Sequence, residues 1–310
     1  MDFTNCWRTP RSGVLLAAAS SFLLSVCSVL VKVTDIPVGQ ITFISSLVLF
    51  IASVVLTTVN TKQALFPKEQ LTKLWGRTLF SLPIVISSYA AVRLLPLSDE
   101  ALLAYTSIIF TIILGRVLLG ERFTKSKLAA SAGILTGVFL ITIGPAPVEP
   151  TYLAGCLFAL IGAICDPFSY ILLKELVSLH YSVILFNYSL CSLILTAPFS
   201  LWETWTWIQS FRLFSIATVA TLQEVLLTIS LTTEQAGLVC LIHASDIIFS
   251  YALELSMFNE TYTILKVSGA VMVTISVVFS AYLPASEGQL ILTGEEESED
   301  TAPCLTDDCI

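Results

Sequence analysis

The chain has 310 residues, of which 55% are hydrophobic and only 12% charged, about half the charged share of an average soluble domain. Together with a mean hydropathy of +0.87, this excludes a soluble enzyme or nucleic-acid binder of ordinary composition. The formal net charge of −8 is no property of the fold, because much of it comes from one C-terminal segment.

Residues 1–12 read as a short basic N-terminal segment. Apolar stretches of roughly 20 residues, long enough to cross about 30 Å of hydrocarbon as helix, then fall at 13–33, 39–59, 75–95, 98–118, 125–144, 152–173, 181–201, 211–231, 235–255 and 264–284. Helices are expected, because a lipid-exposed backbone must satisfy its own hydrogen bonds. The first stretch is too long for a signal-peptide core and reads as a retained signal anchor. The third and eighth are the weakest, since they carry Arg77 with Arg93, and Glu224. Tryptophans fall near span ends, where amphipathic rings anchor membrane proteins. The breaker-rich run Gly144-Pro145-Ala146-Pro147-Val148-Glu149-Pro150 stands near the middle of the chain. Residues 285–310 have no apolar periodicity, hold eight of the 23 acids and should be disordered and solvated in the cytoplasm. Of the eight cysteines, five lie within spans and none forms a metal-like pair. No disulfide framework is implied.

Internal repetition organises the whole. A shift of 139 positions carries Ile108-Ile109-Phe110 onto Ile247-Ile248-Phe249, Leu114 onto Leu253, Glu121 onto Glu260, Thr124 onto Thr263, Lys127 onto Lys266 and Val138 onto Val277 without a gap. The expected fold is therefore all-α and polytopic, ten transmembrane helices as two five-helix repeats, 13–144 and 152–284, joined by a linker at 145–151. An odd number of spans per repeat inverts the second copy, an architecture that puts a transporter's site near the midplane at the repeat interface. Ten spans put both termini on one side. Eleven of the 15 Lys and Arg, Arg77 among them, fall in segments assigned to that side, so both ends are expected in the cytoplasm.

Ionisable groups near a span centre cost roughly 2.5–3.5 kcal/mol each, so Asp166, Glu224 and Asp246 are expected to face an aqueous cavity or one another. In the ninth span His243, Asp246, Ser250 and Glu254 recur at helical steps and line one face. By the repeat, Asp246 corresponds to Ser107 in the hydroxyl cluster Tyr105, Thr106 and Ser107 of the fourth span. A low-dielectric cavity disfavours a carboxylate's charged form. Asp246 is therefore the candidate for substrate or proton binding, with His243 as its partner. The competing reading is a hydrogen-bonded pair that fixes helix packing. Gln223 and Glu224 are cavity candidates or interhelical polar glue. Asp166 before Pro167 is a cavity-facing acid at a kink, or a capped helix break. Arg93 is a substrate contact or a residue that snorkels at a span end. Glu121 and Glu260, each just before a helix, read as structural caps. Gly133 and Gly137 read as packing residues.

Arg93-Leu94-Leu95-Pro96-Leu97-Ser98-Asp99-Glu100-Ala101, then Tyr105-Thr106-Ser107-Ile108-Ile109-Phe110-Thr111 and Leu118-Leu119-Gly120-Glu121, resemble the EamA-type pattern of the drug/metabolite transporter superfamily, and within it the G branch of solute carrier family 35. Glu234-Gln235-Ala236-Gly237, Asp246-Ile247-Ile248-Phe249 and Ser169-Tyr170-Ile171-Leu172-Leu173-Lys174 resemble the same branch. This chain departs from the branch at Ile108, where a proline is usual, and near Ser45 and at His243, where arginines are. The resemblance implies ten helices, transport of small metabolites and no bound cofactor.

The expected function is secondary transport of a small polar metabolite, an organic anion or similar, by alternating access, with proton coupling as an option. The alternative is a non-transporting membrane regulator acting through its cytoplasmic loops and acidic tail. An integral enzyme is disfavoured, because the chain shows no nucleophile–base spacing, metal-ligand cluster or phosphate loop. The expected partners are a small-molecule substrate and the lipid bilayer, with no nucleic acid. A homodimer, a protein partner for the tail, and a plasma-membrane or endomembrane (ER or Golgi) location stay open.

Overall fold

The structure, a computed structural model, describes residues 12–60, 65–120, 125–142, 149–199, 206–257 and 264–281. The N-terminal segment, the acidic tail and both cap candidates, Glu121 and Glu260, lie outside these residues. Every described element is helical: α1 (Ser12–Lys32), α2 (Val38–Asn60), α3 (Leu71–Leu94), α4 (Leu97–Ala104), α5 (Ser107–Leu119), α6 (Lys125–Thr142), α7 (Pro150–Glu175), α8 (Tyr181–Thr196), α9 (Trp207–Thr233), α10 (Ala236–His243), α11 (Asp246–Met257) and α12 (Ile264–Ala281).

By length and composition, α1, α2, α7, α9 and the α10–α11 pair are each apolar enough to cross a membrane; α5, α6, α8 and α12 contain shorter apolar stretches. The distribution of side chains inverts that of a soluble protein. Leu15, Val59, Val117, Phe211 and Ile275 stand exposed on outward faces, while Ser20, Ser21, Ser25, Ser53, Thr78, Thr111, Ser189 and Ser230 are buried. Apolar surface of that extent needs lipid around it. The interior hydroxyls meet their partners within and between helices, as in Ser46–Ser192 at 2.7 Å between α2 and α8 and Ser81–Ser169 at 2.6 Å between α3 and α7. The chain is an integral, multi-pass membrane protein.

One difference from the sequence reading shapes the site. The spans expected at 98–118 and 235–255 are each broken in mid-course, between α4 and α5 at Tyr105-Thr106 and between α10 and α11 at Ala244-Ser245. The breaks fall 139 positions apart and have the same backbone bonding. Thr106 N–H bonds to Leu103 and Ile108 N–H to Tyr105, as Ser245 N–H bonds to Ile242 and Ile247 N–H to Ala244. These tightened bonds skip one residue fewer than an α-helix does. No proline is needed. Thr106 Oγ1 donates to the Leu103 carbonyl at 2.6 Å, and such back-bonding by a hydroxyl bends helices. Consequently His243 is not on one helical face with Asp246, Ser250 and Glu254; it ends one half-helix while they line the other.

Candidate functional site

The described helices enclose a cavity of about 170 Å³, more than ten times what one water requires. Its wall takes residues from α1, α3, α4, α5, α7, α8, α9, α10 and α11, including Arg77, Glu100, Tyr105, Ser107, Asp166, Tyr170, Gln223, Glu224, His243 and Asp246. A smaller cavity of about 50 Å³ adjoins it, with Tyr89, Tyr188, Gln223 and Glu224 common to both. Ser45 Oγ and Thr221 Oγ1 line the smaller cavity, buried without a protein partner. Polar groups so placed suit ordered water.

Asp246 opens α11, where the helix dipole favours a negative charge. Its Oδ1 is bonded by Ser25 of α1 and by Ser250 of its own helix at 3.2 Å. Its Oδ2 lies 3.1 Å from the Tyr105 hydroxyl, and that hydroxyl is also 3.0 Å from the carbonyl of His243. The predicted neighbours Tyr105, His243 and Asp246 thus meet, but through the backbone of His243. Its imidazole Nε2 is buried with no hydrogen-bond partner. Ser250 sits behind Asp246 rather than on the cavity wall. Glu254 turns to α4, where its Oε1 accepts from the Leu97 N–H at 3.1 Å; Leu97 starts that half-helix, so a carboxylate there caps it.

Asp166 lies inside an unbroken α7 despite Pro167, and Ser107, the first residue of α5, donates to its Oδ2 at 3.1 Å. The two acids, Asp166 and Asp246, are therefore each tied to a helix break. Glu224 is not a free acid. Arg77 Nη2 stands 2.6 Å from its Oε1, with the two side chains 3% and 17% exposed, and the guanidinium lies 4.8 Å from the centre of the Tyr188 ring. Arg77, placed on the cytoplasmic side by the charge count, is instead inside the bundle. Two further sequence candidates, like Ser250 and Glu254, stay off the wall. Thr106 serves the break in α4–α5, and Arg93 donates to the Ile36 carbonyl.

Four wall or support residues are not marked as such by the sequence. Arg77 reads in the sequence as a boundary charge. Glu100, buried and bonded by Ser88 at 2.9 Å, lay within a segment read only for its family pattern. Ser25 and Tyr188 carried no signal beyond being polar in apolar runs. Among the described residues, no three of His, Cys, Asp and Glu gather as a metal site.

Comparison with known proteins agrees with this architecture. Residues 11–143 match the EamA-like transporter family. Over 280 residues, covering 86% of this chain and 95% of the relative, the sequence is 24% identical to the pseudopaline exporter CntI of Pseudomonas aeruginosa. It is 22% identical over 86% of this chain to solute carrier family 35 member G1 of Mus musculus, 77% of whose length is covered. The human member G1 is 23% identical over 88% of this chain and 79% of its own length. One solved crystal structure matches with a TM-score of 0.71 over 88% of this chain and 98% of that chain, at 14% identity, which speaks for the fold alone. Residues 11–143 thus resemble an EamA-like transporter domain, and the relatives are consistent with the drug/metabolite transporter superfamily near the G branch of solute carrier family 35.

Proposed function

We propose that this membrane transporter is a secondary carrier that moves a small polar metabolite by alternating access between two inverted five-helix repeats, 13–144 and 152–284, coupled to protons through Asp246. The family and the relatives, transporters by name, support carriage rather than catalysis. The repeat reading draws support from the two identical helix breaks. The bias of Lys and Arg supports two cytoplasmic termini.

The observation that carries the coupling is a shortage of hydrogens around Asp246. Tyr105 has one hydroxyl hydrogen and two acceptors, Asp246 Oδ2 and the His243 carbonyl. Ser25 has one, facing Asp246 Oδ1, the Asp246 carbonyl and the Ser21 carbonyl. An ionised Asp246 draws both of these hydrogens in addition to that of Ser250. A protonated one brings its own and releases Tyr105 to the carbonyl that ends α10. Protonation thereby changes the bonding across the break, where two half-helices can tilt separately. Besides Tyr105, the ionisable groups Glu100 and Tyr170 lie within electrostatic reach of an ionised Asp246.

The test is uptake by purified protein in liposomes, with and without a pH gradient, across a panel of organic acids, amines and zwitterions. Wild type should transport a panel member faster with the gradient, and Asp246→Asn should collapse that uptake. Uptake unchanged by the substitution would return Asp246 to packing. No transport of any compound would favour a regulator, in which case deleting 285–310 should abolish its cellular function.

A further inference from the structure

Arg77 is an arginine held only in part. Its guanidinium has five N–H donors. The single contact to Glu224 uses one on Nη2, while Nε and Nη1, which carry three of the five, are buried and meet no acceptor. Buried donors are seldom left unmade in a native state. This one lines the main cavity, with its plane steadied by Tyr188. Unused, oriented guanidinium hydrogens are the groups that take a carboxylate with defined geometry.

The rest of the wall has the opposite character. Asp166, Asp246, Glu100 and Glu224 line the same space, four carboxylates against one guanidinium. A purely anionic ligand would face that excess of acid, and a purely cationic one would leave Arg77 unmade. Depth matters too. Gly76 lies against Leu172 and Gly162 against Ser87, so α3 and α7 run antiparallel and Asp166 is level with about residue 83. That is six residues from Arg77, about 9 Å along the axis, and both side chains reach into the space between.

Resting on the transport reading above, we infer that the carried metabolite is a small zwitterion. Its carboxylate seats on Nε and Nη1 of Arg77, and its ammonium seats among the cavity acids, beginning with Asp166. Glu224 is the built-in counter-ion that shares the guanidinium when no ligand is bound.

The experiment measures binding apart from transport. Full-length protein in detergent is titrated with alanine and 4-aminobutyrate as zwitterions, butylamine as a cation, and butyrate and succinate as anions. Binding is read by calorimetry and by the shift in melting temperature; the same compounds are then tested for exchange in liposomes. At least one zwitterion should bind more tightly than every single-charge probe. Arg77→Gln should weaken it at least about tenfold while butylamine binding is kept. Should Arg77→Gln fail to fold, the double variant Arg77→Gln/Glu224→Gln, which leaves no stranded charge, reads the same loss. Tightest binding of succinate, of butylamine, or of a zwitterion indifferent to Arg77 overturns the inference, as does binding of none of the five. Arg77-dependent zwitterion binding without exchange upholds the site and sinks transport instead.

Discussion

Two acids of this cavity are kept in a membrane by different means. Asp246 is surrounded by hydroxyls from three helices, Ser25, Tyr105 and Ser250, so its protonation state can change without stranding a fixed counter-charge. Glu224 faces Arg77, whose charge is permanent. Removing one member of a buried pair is costlier than removing both, because the survivor keeps its desolvation cost. Glu224→Ala should therefore destabilise the protein by about 3–5 kcal/mol, and adding Arg77→Met should restore part of it. Melting of the single and double variants in detergent checks this. Losses that simply add would mean that the pair does not interact. The same residues explain what the sequence could reveal. Glu224 stood out as an acid in an apolar run, but its partner lies 147 positions away, and no spacing rule connects them. Ser25 looked like any small helical residue until α1 was set against α11.

Among the elements, the broken helices and the glycine seam do different work. The breaks put Ser107 and Asp246 at the first positions of new half-helices, and neither break was legible, because Tyr105-Thr106 and Ala244-Ser245 contain neither glycine nor proline. The seam was legible, since small residues spaced along an apolar helix suit close approach. A Cβ at Gly137 would stand 2.7 Å from Val273 Cγ2 and 2.8 Å from the backbone oxygen of Gly269, whereas one at Gly133 would chiefly meet Ser276 Oγ at 2.2 Å. The hydroxyl can rotate away; the backbone cannot. Gly137→Ala should thus cost about 1–3 kcal/mol, in the range of overpacked cores, and Gly133→Ala distinctly less. Thermal unfolding of the two variants in the same detergent decides it. A reversed order would mean that α6 and α12 approach each other differently.

At the scale of the whole molecule, the packing partners repeat when each helix is exchanged for its counterpart in the other half. α3 packs on α7 as α9 packs on α1; α2 touches α9 as α8 touches α3; α2–α8 and α6–α12 are their own counterparts. On the proposed repeat reading, two halves so related would rock about the shared cavity without unpacking either one, the motion that alternating access needs. The chain supplies its own reporters. Cys27 on α1 and Cys240 on α10 are buried on the cavity wall, one from each half. In a protein whose other six cysteines are replaced by serine, a small membrane-impermeant thiol reagent should modify both from either face of the membrane. A transported ligand should slow the reaction on both sides. In a rigid regulator, the reagent should reach them from one face only or not at all. Modification from both faces without protection by any ligand would describe a static water path, which the proposed carrier must not have, since a proton gradient of the kind proposed to couple through Asp246 would leak along it.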